Sequence, residues 1–312
     1  MKLEIVITHW TEDWSIGENA FLMLRLQRCV DWNDIQVTII HDGSKAFPSW
    51  FFTGYPFSIR QVELPHGGIA AARNWAINHS EAEWIKFNDF DDMFAGVYSV
   101  RNIMNALSHA DDFDLLWFPV YGEQDGQLFL KTDRDPVVIH GKVFRRTFLN
   151  RKGLRFPEHL TWCEDSAFLA VLEMEIDHNR IGKITTEAPI YAWIARQGSL
   201  CNRPEIKFQN RQSFFERHKY VAEEFLKHGH QTEHDMMIVR TMGDAYHTLR
   251  KEGIKEDMTA FEREVWNYYR EHEQEFNNVS EADFDRVLAA VNRENKPEFT
   301  KAEFLEWIKQ KG

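Results

Sequence analysis

Trp84-Ile85-Lys86-Phe87-Asn88-Asp89-Phe90-Asp91-Asp92-Met93 runs a hydrophobic, strand-like stretch directly into three carboxylates within four positions. Charges so close repel one another unless a cation or hydrogen-bond donors hold them. A divalent metal with oxygen ligands is the simplest occupant, because Mg2+ or Mn2+ takes one or two carboxylates and fills its other positions with water and phosphate oxygens. The alternative is a solvated acidic turn capping a helix that starts near Ala95, since Asp is favoured at helix amino ends.

Upstream of this stretch the chain alternates strand-like and helix-like segments. Leu3 to Thr8, Ile35 to Ile40 and Ser58 to Leu64 read as strands, Gly17 to Cys29 and Gly68 to His79 as helices, and Leu115 to Val120 as a further strand. Such alternation with short connections predicts a mostly parallel α/β sheet flanked by helices, in which ligands sit beyond the carboxyl ends of the strands. The polar clusters Thr8-His9-Trp10, His41-Asp42-Gly43-Ser44 and Asn88 to Asp92 all fall there. After about Arg203-Pro204 the sequence turns long, charged and helix-periodic, so a second, all-helical domain is expected over 205–312, behind a first over 1–204. Ser280 and the capping box Thr300-Lys301-Ala302-Glu303 mark its last two helix starts, with Pro297 between them.

Composition narrows the function. The 312 residues carry 37 basic and 49 acidic side chains, a formal charge of −12 that repels polyanions at long range. One segment runs against that balance: residues 131 to 155 hold eight Lys or Arg against Asp133 and Asp135. It reads as a solvated face around a cleft, with contact to an anionic acceptor as the sharper alternative. No uncharged apolar run reaches membrane-spanning length, and no signal-peptide pattern opens the chain. Cys29, Cys163 and Cys201 are odd in number and unpaired in spacing, so a reducing cytoplasm is the expected compartment.

The acidic stretch belongs to a series. Ile39 to Ser44, Gly67 to Asn74 with its Ala-Arg-Asn, Asp89 to Asp92, Gly141 to Arg146, Cys163 to Phe168 and Tyr191 to Ser199 follow one another in an order and spacing that resembles the family 2 glycosyltransferases of GT-A fold, over roughly residues 3 to 200. The resemblance implies a GT-A domain and metal-dependent, inverting transfer of a hexose from a nucleoside diphosphate sugar, favouring UDP, to an acceptor hydroxyl. By position it implies that Thr8, Asp42, Arg73, Asp89 and Arg196 bind the donor nucleotide, that Asp89 and Asp91 hold Mn2+ or Mg2+, and that Asp165 is the general base, with Glu164 before it. The chemistry asks for the same types of residue. A metal offsets charge on the departing diphosphate, and a carboxylate takes the proton of the attacking hydroxyl.

The chain also departs from that family. His41 stands where the second motif usually begins with Asp, and the first strand ends in Thr-His-Trp rather than Thr-Tyr-Asn. The absence of a Gln-x-x-Arg-Trp motif argues against processive synthesis. Two rival functions share some of these residues: a haloacid-dehalogenase-type phosphatase, whose nucleophile loop usually ends the first strand, and a nucleotide-sugar or glycan-binding module without turnover. Trp10, Trp14, Trp50 and Trp193 are either core or sugar-stacking walls. His228, His230 and His234 lack the Glu and third ligand of a zinc protease and read as a surface cluster. The helical part is expected to shape the acceptor site or mediate self-association.

Overall fold

The computed structural model describes residues 1–124, 126–133, 135–184, 189–194, 207–252, 258–295 and 298–311. The chain divides into two compact units, Met1–Arg203 and Pro204–Gly312.

In the first unit, β1 (Leu3–His9), β2 (Ile35–Asp42), β3 (Ile59–Leu64) and β4 (Trp84–Asp89) are all parallel, with β1 between β2 and β4. Every residue of β1 is buried, as expected for a central strand covered on both faces. Helices α1 (Trp14–Arg25), α2 (Gly68–His79) and α3 (Ser99–Leu107) supply the cover. The seven-stranded sheet is completed by β6 (Leu115–Trp117), β9 (Lys142–Arg145) and β10 (Ile181–Lys183) in the order β10-β6-β9-β4-β1-β2-β3. Strand β9 runs antiparallel to both neighbours, so the sheet is mixed on that side.

A second sheet, β5-β11-β7-β8, comprises β5 (Met93–Phe94), β7 (Val120–Gln124), β8 (Gln127–Lys131) and β11 (Tyr191–Ala192). It begins at the acidic turn itself, because β5 follows β4 after three residues. Helices α4 (Arg146–Arg151) and α5 (Glu164–Glu175) finish the unit. The expected mostly parallel α/β architecture is present. Two local expectations are corrected: the helix after the acidic turn starts at Ser99, with β5 intervening, and the strand from Leu115 stops at Trp117, a new one starting at Val120.

The second unit is helical among its described residues: α6 (Lys207–Lys227), α7 (Gln231–Glu252), α8 (Thr259–Glu271), α9 (Glu273–Asn278), α10 (Glu281–Glu294) and α11 (Lys301–Lys311). Its core gathers Phe215, Ile238, Met242, Val265, Val291 and Phe304. The Ser280 hydroxyl caps α10 by accepting from Asp283 N at 3.2 Å. Thr300 and Glu303 close a reciprocal box, at 2.7 Å and 3.2 Å. Pro297 lies outside the described residues. The His228–His234 group is not a surface cluster throughout: His234 is buried and bonded to Asp235 at 2.8 Å. No helix among the described residues is long and apolar enough to cross a membrane.

Candidate active site

Parallel pairing carries three strand ends to one edge. Thr8 lies opposite Asp89 on β4, and His9 opposite His41 on β2. The Thr8 hydroxyl is buried and has no hydrogen-bond partner among the described residues. A buried hydroxyl left unmatched at a strand end is a group poised for a ligand. Asp42 is also buried, and its carboxylate is engaged on both oxygens: Oδ1 accepts from Gly67 N at 2.7 Å, and Oδ2 from Gly68 N at 3.0 Å and the His66 ring at 2.8 Å. Asp42 therefore pins the turn entering α2, where Gly68 takes the left-handed φ of +86°.

Arg73, on α2, is 2% exposed and spans the site. One terminal nitrogen donates to Asp89 Oδ1 at 2.9 Å and the other to Glu164 Oε1 at 2.9 Å. The next residue, Asn74, holds Phe156 by both its carbonyl and its amide. The guanidinium pairs unequally with its two carboxylates. Burial works to raise the pKa of Asp89, but Arg73 and His140 outweigh it and hold that carboxyl well below the usual carboxylate range. Glu164 is pushed up to about 7 by burial, which Arg73 only partly opposes and Asp165 reinforces. Arg73 itself stays charged, since Asp89 and Glu164 together outweigh its own desolvation.

Asp165 sits beside this pair in the first turn of α5 and is partly exposed. Its carboxyl is raised by burial and lowered by the charges of Arg73 and His140. A carboxyl with a raised pKa, on the same helix turn as a group tied to the acidic motif, has the chemistry of a proton acceptor.

Within the acidic turn, Phe90 is buried against His9, Phe47 and Phe21, anchoring the loop between its carboxylates. Asp92 is buried and tied to the second sheet: Tyr191 Oη donates to its Oδ2 at 2.5 Å, and Ile194 N to its Oδ1 at 3.1 Å. Burial raises its carboxyl to about 7. Lys86, wholly buried on β4, donates to Asn88 Oδ1 at 2.7 Å and Phe87 O at 3.0 Å, and burial lowers its ammonium to about 7 against the pull of Asp89 and Asp92.

The ligand atoms of Asp89, Asp92 and His140 lie within 4.8 Å of one another. His140 Nε2 is 3.5 Å from Asp89 Oδ2, and its ring stacks on Tyr191. Two carboxylates and an imidazole fit a divalent cation, and the nitrogen favours a transition metal over Mg2+, which prefers oxygen throughout. The compact group thus combines Asp89 with Asp92 and His140; Asp91, partly exposed in the intervening turn, is not one of its members. His140 has no motif of its own, its only signal in sequence being that it immediately precedes the Gly141 to Arg146 segment. Arg196 lies outside the described residues.

Basic residues between 131 and 155 are largely spent inside the fold. Lys131 pairs with Asp135, Lys142 is buried against backbone carbonyls, Arg145 reaches Glu83, Lys152 reaches Glu175, and Arg155 reaches Asn78. Among its described residues the segment is therefore not a wholly free cationic face. Among the tryptophans, Trp14 stacks on Phe51 and joins the core, whereas Trp10 is 49% exposed and stacks on His66 beside Asp42.

No protein-family model matches the chain. It is 22% identical over 224 residues to the poly(ribitol-phosphate) beta-N-acetylglucosaminyltransferase TarS of Staphylococcus aureus, covering 67% of this chain and 37% of that protein. It is 21% identical over 197 residues to the minor teichoic acid biosynthesis protein GgaB of Bacillus subtilis, covering 56% of this chain and 21% of that protein. The chain thus spans well under half the length of these relatives. Among solved structures, S. aureus TarS in complex with UDP-GlcNAc superposes with a TM-score of 0.65 at 18% identity, covering 93% of this chain and 83% of that one. TarS in complex with UDP gives 0.63 at 17% identity, with the same coverage. The fold is that of a GT-A glycosyltransferase, as the resemblance in sequence implied.

Proposed function

We propose that this chain is a glycosyltransferase that moves a sugar from a nucleoside diphosphate sugar, UDP-linked, to an acceptor hydroxyl with inversion and with the help of a divalent metal. The observation that carries the proposal is Arg73, whose single guanidinium joins the carboxylate ending β4 to the helix turn bearing Glu164 and Asp165. That one contact couples a donor-side acid to a base-side acid, the two separated roles that transfer to a hydroxyl requires.

In this scheme the unmatched Thr8 hydroxyl and the Asp42 turn receive the nucleotide base, and Trp10 flanks it. Asp89, Asp92 and His140 would hold the metal, which when bound offsets charge on the diphosphate. Asp91 is the acidic neighbour between Asp89 and Asp92 in the same turn. Arg73 fixes Asp89 and α5 against each other, and Asp165 takes the proton of the acceptor hydroxyl. The UDP preference draws support from the UDP and UDP-GlcNAc bound to TarS. Its name makes poly(ribitol-phosphate) the first acceptor to try. The dehalogenase alternative loses support, because Asp89 ends the fourth strand and is ion-paired to Arg73 instead of being free for attack.

Calorimetric titration with UDP, GDP and CDP, with and without Mn2+, tests the proposal. Metal-dependent binding of UDP, followed by release of UDP from a UDP-sugar, is the expected result. A folded protein that binds none of the three would overturn it, and binding without any turnover would leave a non-catalytic nucleotide-sugar-binding or glycan-binding module.

A further inference from the structure

His9 and His41 are among the positions where the strand ends depart from the glycosyltransferase pattern, and the β1–β2 register sets them side by side. Their Nδ1 atoms are 2.9 Å apart. Two ring nitrogens that close need a proton between them, because two lone pairs would repel. Neither outer nitrogen can spare one. His9 Nε2 lies 2.9 Å from the Glu12 carbonyl oxygen, which can only accept, so that nitrogen carries a hydrogen. His41 Nε2 lies 2.9 Å from Gln61 Oε1. The Gln61 amide cannot be turned over, because its Oε1 also accepts from Phe47 N at 2.8 Å and its Nε2 donates to Phe47 O at 2.9 Å. Both Nε2 atoms are therefore donors, and the gap between the rings calls for a third proton.

We infer that His9 and His41 form one proton-sharing imidazole–imidazolium unit, which anchors the Asp42–Ser44 turn at the nucleotide-base side of the site and releases it when the shared proton leaves. Ser44 Oγ reaches the same His9 Nδ1 at 3.0 Å, so the turn is hung on the unit directly. The rings of Phe47 and Phe90 pack on His9 and exclude water from it. Charged or titratable neighbours are few. Glu63 lies opposite His41 on β3 and is held by Lys45 and Ala46 N; Asp42 follows His41 and is tied to His66; Glu12 accepts from Trp10 N. Burial pushes His41 down to about 4, a positive charge on His9 pushes the same way, and the Gln61 contact and the charge of Glu63 oppose them. When the proton goes, the facing lone pairs force one ring to turn, which breaks its bond to Gln61 or to Glu12; when the His9 ring turns, its Nδ1 also leaves Ser44.

Long-range 1H–15N NMR of the full chain with labelled histidine tests the unit without any ligand. The expected result is two protonated Nε2 atoms, one strongly downfield proton shared by the Nδ1 pair, and a single protonation event that moves both residues together. In Gln61→Met the acceptor that keeps a hydrogen on His41 Nε2 is gone, so the pair becomes neutral and this joint titration disappears. Independent titrations, or a wild-type His41 with a bare Nε2 at every pH, would overturn the inference. The anchoring role rests on the proposed function and has its own readout: UDP binding at pH 6 should be at least about fivefold tighter than at pH 8.5. Equal affinities with an intact joint titration would overturn that role alone, whereas no UDP binding at any pH would overturn the glycosyltransferase proposal and leave the proton-sharing unit standing.

Discussion

Asp89 and Glu164 are bonded to opposite ends of one buried guanidinium, each at 2.9 Å from Arg73. Strand β4 and helix α5 are thereby held in fixed relation by a group with no exposed surface to speak of. The arrangement makes Arg73 a positioning residue, and its removal strands two acids in a partly dry site. Arg73→Met should therefore destabilise the protein by about 3–5 kcal/mol in chemical denaturation. Arg73→Lys, which keeps the charge but not the planar fork, should recover part of that loss and still weaken UDP binding.

Glu164 supplies a pH dependence whose sign follows from its environment. Its folded-state pKa of about 7 stands above the ordinary 4.5, so the folded protein holds that proton more tightly than the unfolded chain does. The stabilisation is complete below pH about 4 and is lost as pH rises toward 7. Melting temperature measured without metal should accordingly fall between pH 5 and pH 8. In Glu164→Gln, which keeps an acceptor for Arg73, the slope should be shallower; an unchanged slope would show that Glu164 ionises normally.

Thr8 offers a test that separates stability from binding. Its hydroxyl is buried without a partner among the described residues, so exchanging it for a methyl group removes a desolvation cost of about 1 kcal/mol or more. Thr8→Val should melt at or above the wild-type temperature while binding UDP more weakly. Unaltered UDP affinity would remove Thr8 from the nucleotide site.

The metal prediction turns on His140. If Asp89, Asp92 and His140 hold the ion, His140→Ala should weaken Mn2+ affinity by about 10–100-fold, with Asp89→Asn doing at least as much. Asp91→Asn should do less than either. A mutant series in which Asp91 dominates and His140 is silent would return the metal to Asp89 and Asp91.

Asp165→Asn should abolish transfer, with turnover falling about 10²–10⁴-fold, while UDP affinity stays within a few-fold of wild type. Activity at the wild-type level would remove Asp165 as the base.

Much of this molecule was legible in the order of its residues. Leu3 to Thr8, Ile35 to Ile40 and Trp84 to Phe87 are apolar runs too short to be helices, and between them lie Ala-rich or amphipathic helical stretches. That pattern leaves little but a covered parallel sheet, and the polar residues closing each run must then meet at one edge. The helix starts at Ser280 and Thr300 were equally plain, because a cap is a local hydrogen bond between residues three apart. What tertiary structure alone decided are pairings across long chain separations. Antiparallel β9 has the same composition as a parallel strand, and only its insertion between β4 and β6 sets its direction and places His140 beside Asp89. Local sequence likewise says nothing of how Arg73 divides itself between Asp89 and Glu164, nor that His9 and His41 meet nitrogen to nitrogen. Spacing along the chain fixes which face a side chain takes, but its protonation and its partner depend on what the folded sheet brings within 3 Å of it.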